Sequence, residues 1–236
     1  MMQALDSTVL KLTSIVASRW EIIDLIIVGT TKSNSIKMLP IVCLLWYAWF
    51  SKSDTEKARR IVLNAGLGAV LATVVARLIQ SVFSNRPRPM HAENPDYVAP
   101  YGVDLQALEN WSSFPSDHAA LAFALAAAVF LFSRPLGIFC LSWAAIVSTF
   151  PRIYAGYHYA SDVLAGAFIG VIATLLVSTW GRPLVCWLHR IVQRLEERQA
   201  PLFYTLAFVA SYQVTTMMDE PRKILRTLYE VMWSLS

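Results

Sequence analysis

An all-α membrane bundle is the fold class that this sequence predicts, and three observations predict it. Of 236 residues, 56% are hydrophobic and only 15% charged, the balance of a chain that spans a bilayer rather than of a soluble domain. The apolar residues gather into six runs, at about 37–51, 61–83, 118–133, 136–150, 162–180 and 202–218, each near or below the roughly 20 residues that cross the hydrocarbon layer as a helix. Most of the charges fall between these runs. The expectation is a polytopic bundle of five to six transmembrane helices in a single domain, residues 36–218, after an N-terminal interfacial region, 1–35, and before a C-terminal tail, 219–236.

The N-terminal region comes first. Residues 3–18 place Leu5, Val9, Leu12 and Val16 on one helical face, whereas Arg19, Glu21 and Asp24 would lie near mid-membrane if this segment crossed. A helix in the interface is therefore expected. Asp6, Lys11, Arg19 and Glu21 interrupt any apolar core of a cleavable signal, so none is expected. Between the first two runs stand Lys52, Lys57, Arg59 and Arg60, in the third turn Arg134, and after the fifth run Arg182, Arg190, Arg194 and Arg198. These ends are expected at the cytoplasmic face, although Lys11, Arg19, Lys32 and Lys37 then lie outside. Cys43, Cys140 and Cys186 are odd in number and widely spaced, packing residues rather than a disulfide framework. A formal net charge of +4 with no Lys/Arg-rich block argues against a nucleic-acid partner and says little beyond attraction to anionic membranes.

With that orientation three polar clusters share the outer face: NRPRP at 85–89, PSDH at 115–118 and PRIYAGYHYASD at 151–162. Each alone has a plain structural explanation, as snorkelling arginines, a helix cap or a local His/Asp hydrogen bond. Their convergence suits phosphoryl chemistry. His158 and Asp162 are four apart, so a helix beginning near Tyr159 lets the carboxylate hold one ring nitrogen protonated and leave the other as a nucleophile. Arg88, stiffened by a proline on either side, and Arg152 offer planar forks matched to phosphate oxygens. Ser116 caps the next helix, whose first N–H groups form an anion cradle, and His118 in that turn can protonate a leaving oxygen.

These residues resemble the type 2 phosphatidic acid phosphatase superfamily, whose signature runs K-x6-R-P, P-S-G-H, S-R-x5-H-x3-D, over residues 81–162. The resemblance implies a helical bundle with the site at its outer end and no metal or other cofactor. It also implies His158 as a nucleophile forming phosphohistidine, Asp162 as its orienter, His118 as general acid, and Arg88, Arg152 and Ser116 as phosphate ligands. Three positions depart from the signature. Ser81 stands where the family lysine would, and Arg77, a turn earlier, or Arg86 is the candidate replacement cation. Arg77 has an equal reading as a structural intramembrane ion pair. Asp117 replaces glycine, near the incoming phosphate, and is expected to turn toward a basic residue. Pro151 replaces serine and removes a hydroxyl and an N–H.

The SSFPSDH stretch at 112–118 is most similar to undecaprenyl-diphosphate phosphatases of the bacitracin-resistance branch. The function this implies is hydrolysis of undecaprenyl diphosphate to the monophosphate in a bacterial cytoplasmic membrane, with the site facing outward. Phosphatidate or phosphatidylglycerophosphate hydrolysis, lipid phosphotransfer, and an inactive scaffold or transporter are the alternatives. The loop at about 90–114 reads as a lid, a headgroup selector or an interfacial aromatic belt. His91 and His189 are expected at solvent or the interface. Asn110-Trp111-Ser112 matches a glycosylation acceptor, and Gly166 and Gly170 read as helix-packing positions.

Overall fold

The structure, a computed structural model, describes residues 2–52, 54–83, 86–93, 95–108 and 111–216. The expected tail 219–236 and Asn110 of the acceptor pattern lie outside them. The described residues are helical, with no strand. The helices are α1 (Met2–Val16), α2 (Glu21–Lys32), α3 (Asn34–Trp49), α4 (Thr55–Phe83), α5 (Asp117–Phe132), α6 (Arg134–Trp143), α7 (Phe150–Tyr154), α8 (Ala160–Thr179), α9 (Arg182–Arg198) and α10 (Ala200–Thr215). A six-residue π-helical segment, Ala144–Thr149, joins α6 to α7 without a break. Among the described residues, three stretches are long and apolar enough to cross a membrane: Thr55–Val82, Arg134–Tyr154 and Ala160–Thr179.

The central helix is α5, and its composition explains its place. Its alanines at 119, 120, 122, 124 and 126–128 are buried, as are Leu121, Leu125 and Val129. A helix that is apolar all round belongs inside a bundle, and small side chains let its neighbours approach closely. On one side α4 presents Ala65, Ala69, Ala72 and Ala76 to the same core. On the other, α8 approaches through glycine: a Cβ at Gly166 would meet the Ser116 carbonyl oxygen at 2.2 Å, and one at Gly170 the Ala120 carbonyl at 2.3 Å. The packing expected of these two glycines is therefore backbone against backbone. It draws the N-terminus of α8 beside that of α5.

Two regions differ from expectation. The N-terminal region holds two helices, and α1 turns Asp6, Leu10 and Thr13 inward while Leu5 and Leu12 are exposed. Hydrogen bonding of Asp6 to α8, described below, overrides the apolar stripe. Beyond the fifth run, the arginine-rich stretch forms α9, whose inner side buries Val185 and His189 against the bundle. His189 is thus 5% exposed rather than at the surface. The three cysteines are free.

Candidate active site

Two helix starts come together at one end of the bundle, each carrying one sequence motif. The Ser116 amide donates to the Asp162 carbonyl at 3.1 Å, tying the head of α5 to the first turn of α8. Tyr159 caps α8, and its amide donates to Asp162 Oδ2 at 2.8 Å. Asp162 is fully buried. Its carboxylate also accepts from Arg86 Nη1 at 2.5 Å.

His158 lies just before this cap and is 1% exposed. Its Nδ1 is 2.8 Å from the carbonyl of Ser113, and 3.9 Å from Asp162 Oδ2. The close partner of the ring is thus a backbone carbonyl, where sequence spacing points to the carboxylate. Since a carbonyl can only accept, Nδ1 carries the proton and Nε2 carries the lone pair. Arg88 Nη1 stands 3.5 Å from that Nε2. Burial, then the charges of Arg152 and Arg88, push the His158 pKa well below its ordinary value, against smaller opposing effects of Asp117 and the Ser113 carbonyl. The ring is neutral at physiological pH.

Arg88 is 4% exposed, and backbone carbonyls hold its guanidinium: Nη1 donates to Tyr157 at 2.5 Å, Nη2 to Ser112 at 3.1 Å and Nε to Trp111 at 3.2 Å. Burial and the neighbouring Arg152 lower its pKa to about 10, still cationic at neutral pH. Arg152 is buried, and its guanidinium carbon lies 5.5 Å from the centre of the Tyr157 ring. Its backbone carbonyl receives the amides of Tyr157 at 2.9 Å and His158 at 3.2 Å, so one short turn fixes both residues. Pro151 is the second residue after the π-helical segment. A widened turn relieves the clash that a proline ring makes with the carbonyl of the preceding turn. The absent Pro151 N–H is absorbed there while Arg152 stays inward.

At the head of α5, Ser116 caps the helix, its Oγ accepting from the Ala119 amide at 3.4 Å. Asp117 Oδ1 accepts the His118 amide at 2.9 Å and lies 2.9 Å from His118 Nδ1. Its Oδ2 accepts from Arg77 Nη2 at 2.5 Å. Two amides of the expected anion cradle, those of His118 and Ala119, are therefore met within the cap. Asp117, one of the departures from the signature, forms an ion pair with Arg77, the candidate replacement for the lysine absent at Ser81, and the Arg77 guanidinium lies 5.2 Å from the centre of the Trp111 ring. Gln80 Nε2 donates to the Pro115 carbonyl at 2.7 Å, a second tether from α4 to the same turn.

Arg86 is engaged by carboxylates. It bridges Asp162 and Asp6, with Nη2 at 2.7 Å from Asp6 Oδ2, and also donates to Ser161 Oγ at 2.9 Å. Asp6 in turn accepts the Ser161 amide at 2.8 Å and its hydroxyl at 2.6 Å. Asp6 is a residue that sequence reasoning missed, and the available signal was an acid on the side of α1 opposite Leu5 and Leu12. Asp24, fully buried, accepts the amides of Ser18 at 2.9 Å and Tyr101 at 3.0 Å and the hydroxyl of Tyr154. The loop after Arg88 packs down on the site: Tyr97 donates to the Ala155 carbonyl at 3.0 Å, and its ring lies over Gly156, where a Cβ would meet it at 2.5 Å. Val28, Met90, Ala155 and Tyr157 form the small apolar cluster beneath. Among the described residues, no group of three or more His, Cys, Asp or Glu is placed to hold a metal ion.

Residues 61–186, more than half of the chain and including both histidines, match the PAP2 superfamily. The chain belongs to the PAP2 superfamily. It is 28% identical over 177 residues to the undecaprenyl-diphosphatase BcrC of Bacillus subtilis, an alignment covering 74% of this chain and 84% of that one. It is 39% identical over 142 residues to a lipid A 4'-phosphatase of Bacteroides thetaiotaomicron, covering 58% and 61% of the two chains. The crystal structure of a transmembrane PAP2 type phosphatidylglycerolphosphate phosphatase from Bacillus subtilis shares the fold, with a TM-score of 0.50 at 21% identity over 77% of this chain and 86% of that one. PAP2 membership and the membrane-length helices together make this chain an integral membrane lipid phosphatase whose substrate is a lipid phosphate. Asp6 and all of α1 and α2 lie outside the matched region.

Proposed function

We propose that the chain hydrolyses undecaprenyl diphosphate to undecaprenyl phosphate through a phosphohistidine on His158. The observation that carries the mechanism is the Nδ1 contact with the Ser113 carbonyl at 2.8 Å, which leaves the Nε2 lone pair beside Arg88. His158 Nε2 attacks the terminal phosphorus, forming the P–N bond as the P–O bond to the leaving phosphate breaks. Arg88 and Arg152 balance the charge on the equatorial oxygens. With Nδ1 committed to Asp117, His118 delivers the proton on Nε2 to the departing oxygen. The same nitrogen then takes a proton from water, whose oxygen attacks phosphorus and breaks the P–N bond, releasing inorganic phosphate and restoring both rings.

Ser116 acts through the helix cap, and Asp162 through the backbone turn that carries His158. Arg77 acts as the partner of Asp117, and Arg86 as the clamp on Asp162. Residues Lys57, Arg59, Arg60, Arg134 and Arg182 gather at the opposite helix ends, which supports an outward-facing site in the cytoplasmic membrane of a bacterium. Similarity to BcrC supports the diphosphate substrate, and similarity to the lipid A 4'-phosphatase supplies its main competitor. In a detergent-matched panel, undecaprenyl diphosphate should give the highest kcat/KM among undecaprenyl phosphate, phosphatidate, phosphatidylglycerophosphate and a lipid A phosphate. A tenfold preference, about 1.4 kcal/mol, for any of the others rejects this substrate and leaves the phosphatase itself untouched.

A further inference from the structure

A cavity lined by both charged and apolar side chains lies at the end of the bundle away from the histidines. It has a volume of about 570 Å³, is open on one side and is lined by α4, α5, α8 and α9. Arg60 and Arg77 are seventeen residues apart on α4, about 25 Å of helix rise, so this cavity is separate from the catalytic end. Its wall carries Lys57, Arg60 and Asn64 from α4 and Arg182 from the start of α9. Asp54 and Glu56 also line it, and Glu56 is engaged by Arg60 Nη2. Three cations against two carboxylates leave the wall positive. The N-terminal end of the 17-residue α9 adds its positive pole.

Two polar atoms on this wall call for a ligand. Asn64 is 3% exposed, and among the described residues neither its Oδ1 nor the buried Arg60 Nε meets a hydrogen-bond partner. One is an acceptor and the other a donor, one helical turn apart on the same face of α4. An unmet acceptor inside a membrane-spanning helix is unfavourable, because lipid tails offer nothing in place of water. A ligand that offers both an acceptor oxygen and a hydroxyl donor satisfies the two atoms, and the positive wall favours an acceptor that is anionic. Apolar Ile61 and Val185 on the same wall suit the short carbon chain between them.

We propose that this cavity binds a glycerophosphate group, its phosphate oxygens meeting Lys57, Arg60 Nε and Arg182 and a glycerol hydroxyl donating to Asn64 Oδ1. The group is either the headgroup of an anionic phospholipid or a free phosphate ester, and one experiment separates the two. Delipidated full-length protein is incubated with equimolar phosphatidylglycerol and phosphatidylcholine, and bound lipid is read by native mass spectrometry, with and without free glycerol 3-phosphate. Phosphatidylglycerol should be retained on the order of tenfold over phosphatidylcholine. Asn64→Leu and the surface double variant Lys57→Gln/Arg182→Gln should each erase that preference while phosphate release from the substrate continues at the wild-type rate. Displacement by millimolar glycerol 3-phosphate identifies a soluble ester as the ligand, and resistance to it identifies the lipid. Equal retention of the two lipids together with no binding of free glycerol 3-phosphate overturns the proposal. So does a preference that survives the double variant. A more heat-stable Asn64→Leu protein with unchanged lipid preference points to bound water alone and overturns it as well. Because catalysis is read separately, failure here leaves the phosphatase assignment standing.

Discussion

His118 and His158 stand at the heads of adjacent helices, yet their imidazoles are held by different chemistry. The Nδ1 of His118 lies 2.9 Å from the Asp117 carboxylate, whereas the Nδ1 of His158 meets the Ser113 carbonyl at 2.8 Å and has its carboxylate at 3.9 Å. A carbonyl fixes a tautomer without adding charge, which suits a ring that must attack as a neutral nucleophile. A carboxylate orients the ring through Nδ1 and offsets part of the charge of a second proton, which suits one that must give up a proton and take it back. The pair thus separates two roles by environment, as paired acids and bases in other active sites are separated. In this chain the carboxylate beside His118 comes from a position where the family signature has glycine, and Arg77 accompanies it. The two form one unit, an aspartate and the cation that neutralises it.

Removing one side of the comparison gives the largest expected effect after loss of the nucleophile itself. His118→Ala should lower kcat on an alkyl phosphate by roughly 10²- to 10⁴-fold, the usual worth of a general acid. On an aryl phosphate, whose leaving group needs little protonation, the loss should be far smaller. Equal losses on both substrates remove His118 from the acid role.

The next test sharpens the link between Arg77 and Asp117. Arg77→Ala should lower kcat/KM by about tenfold or more, the scale of one charge-assisted contact of about 1.5 to 3 kcal/mol. In an Asp117→Gly background the same substitution should cost much less, since its partner is gone. A double-mutant cycle measures this coupling directly. Additive losses mean that Arg77 acts on the substrate independently of Asp117.

A smaller effect concerns stability and pH. Burial and the charges of Arg152 and Arg88 hold the folded-state pKa of His158 below its ordinary 6.5. Between those two values the folded protein binds fewer protons at this site than the unfolded chain. His158 therefore contributes stability that is fully present above pH 6.5 and is lost as pH falls toward the folded-state value. The wild-type Tm should fall from pH 6.5 to about 4.5, and His158→Gln should show a flatter fall over the same window. Parallel slopes mean that His158 is not held neutral by the fold.

The motif residues were legible because chemistry fixes their spacing: His158 and Asp162 stand one helical turn apart, and Ser116 and His118 open the next helix. The runs that became α4, α5 and α8 were legible from hydropathy alone. What escaped the sequence is contact between distant segments. Asp6 reaches Ser161 across 155 positions, and its partner Arg86, a candidate phosphate ligand by sequence, is taken up by Asp6 and Asp162 instead. The Ser113 contact is invisible in a residue string because the acceptor is a carbonyl that every residue carries. The helix α9 escaped because its charges at 190, 194 and 198, which repeat on one side, were read only for the orientation of the chain, although Val185 and His189 supply the buried side.

Trapping the covalent intermediate tests the central claim most directly. Enzyme mixed with substrate labelled in the terminal phosphate, quenched without acid and digested, should yield one peptide carrying an acid-labile, base-stable phosphoryl group on His158. His158→Ala should abolish both the label and turnover, a loss of at least roughly a thousandfold. Label on His118 or on a carboxylate, or a His158→Ala protein that still turns over, contradicts the account.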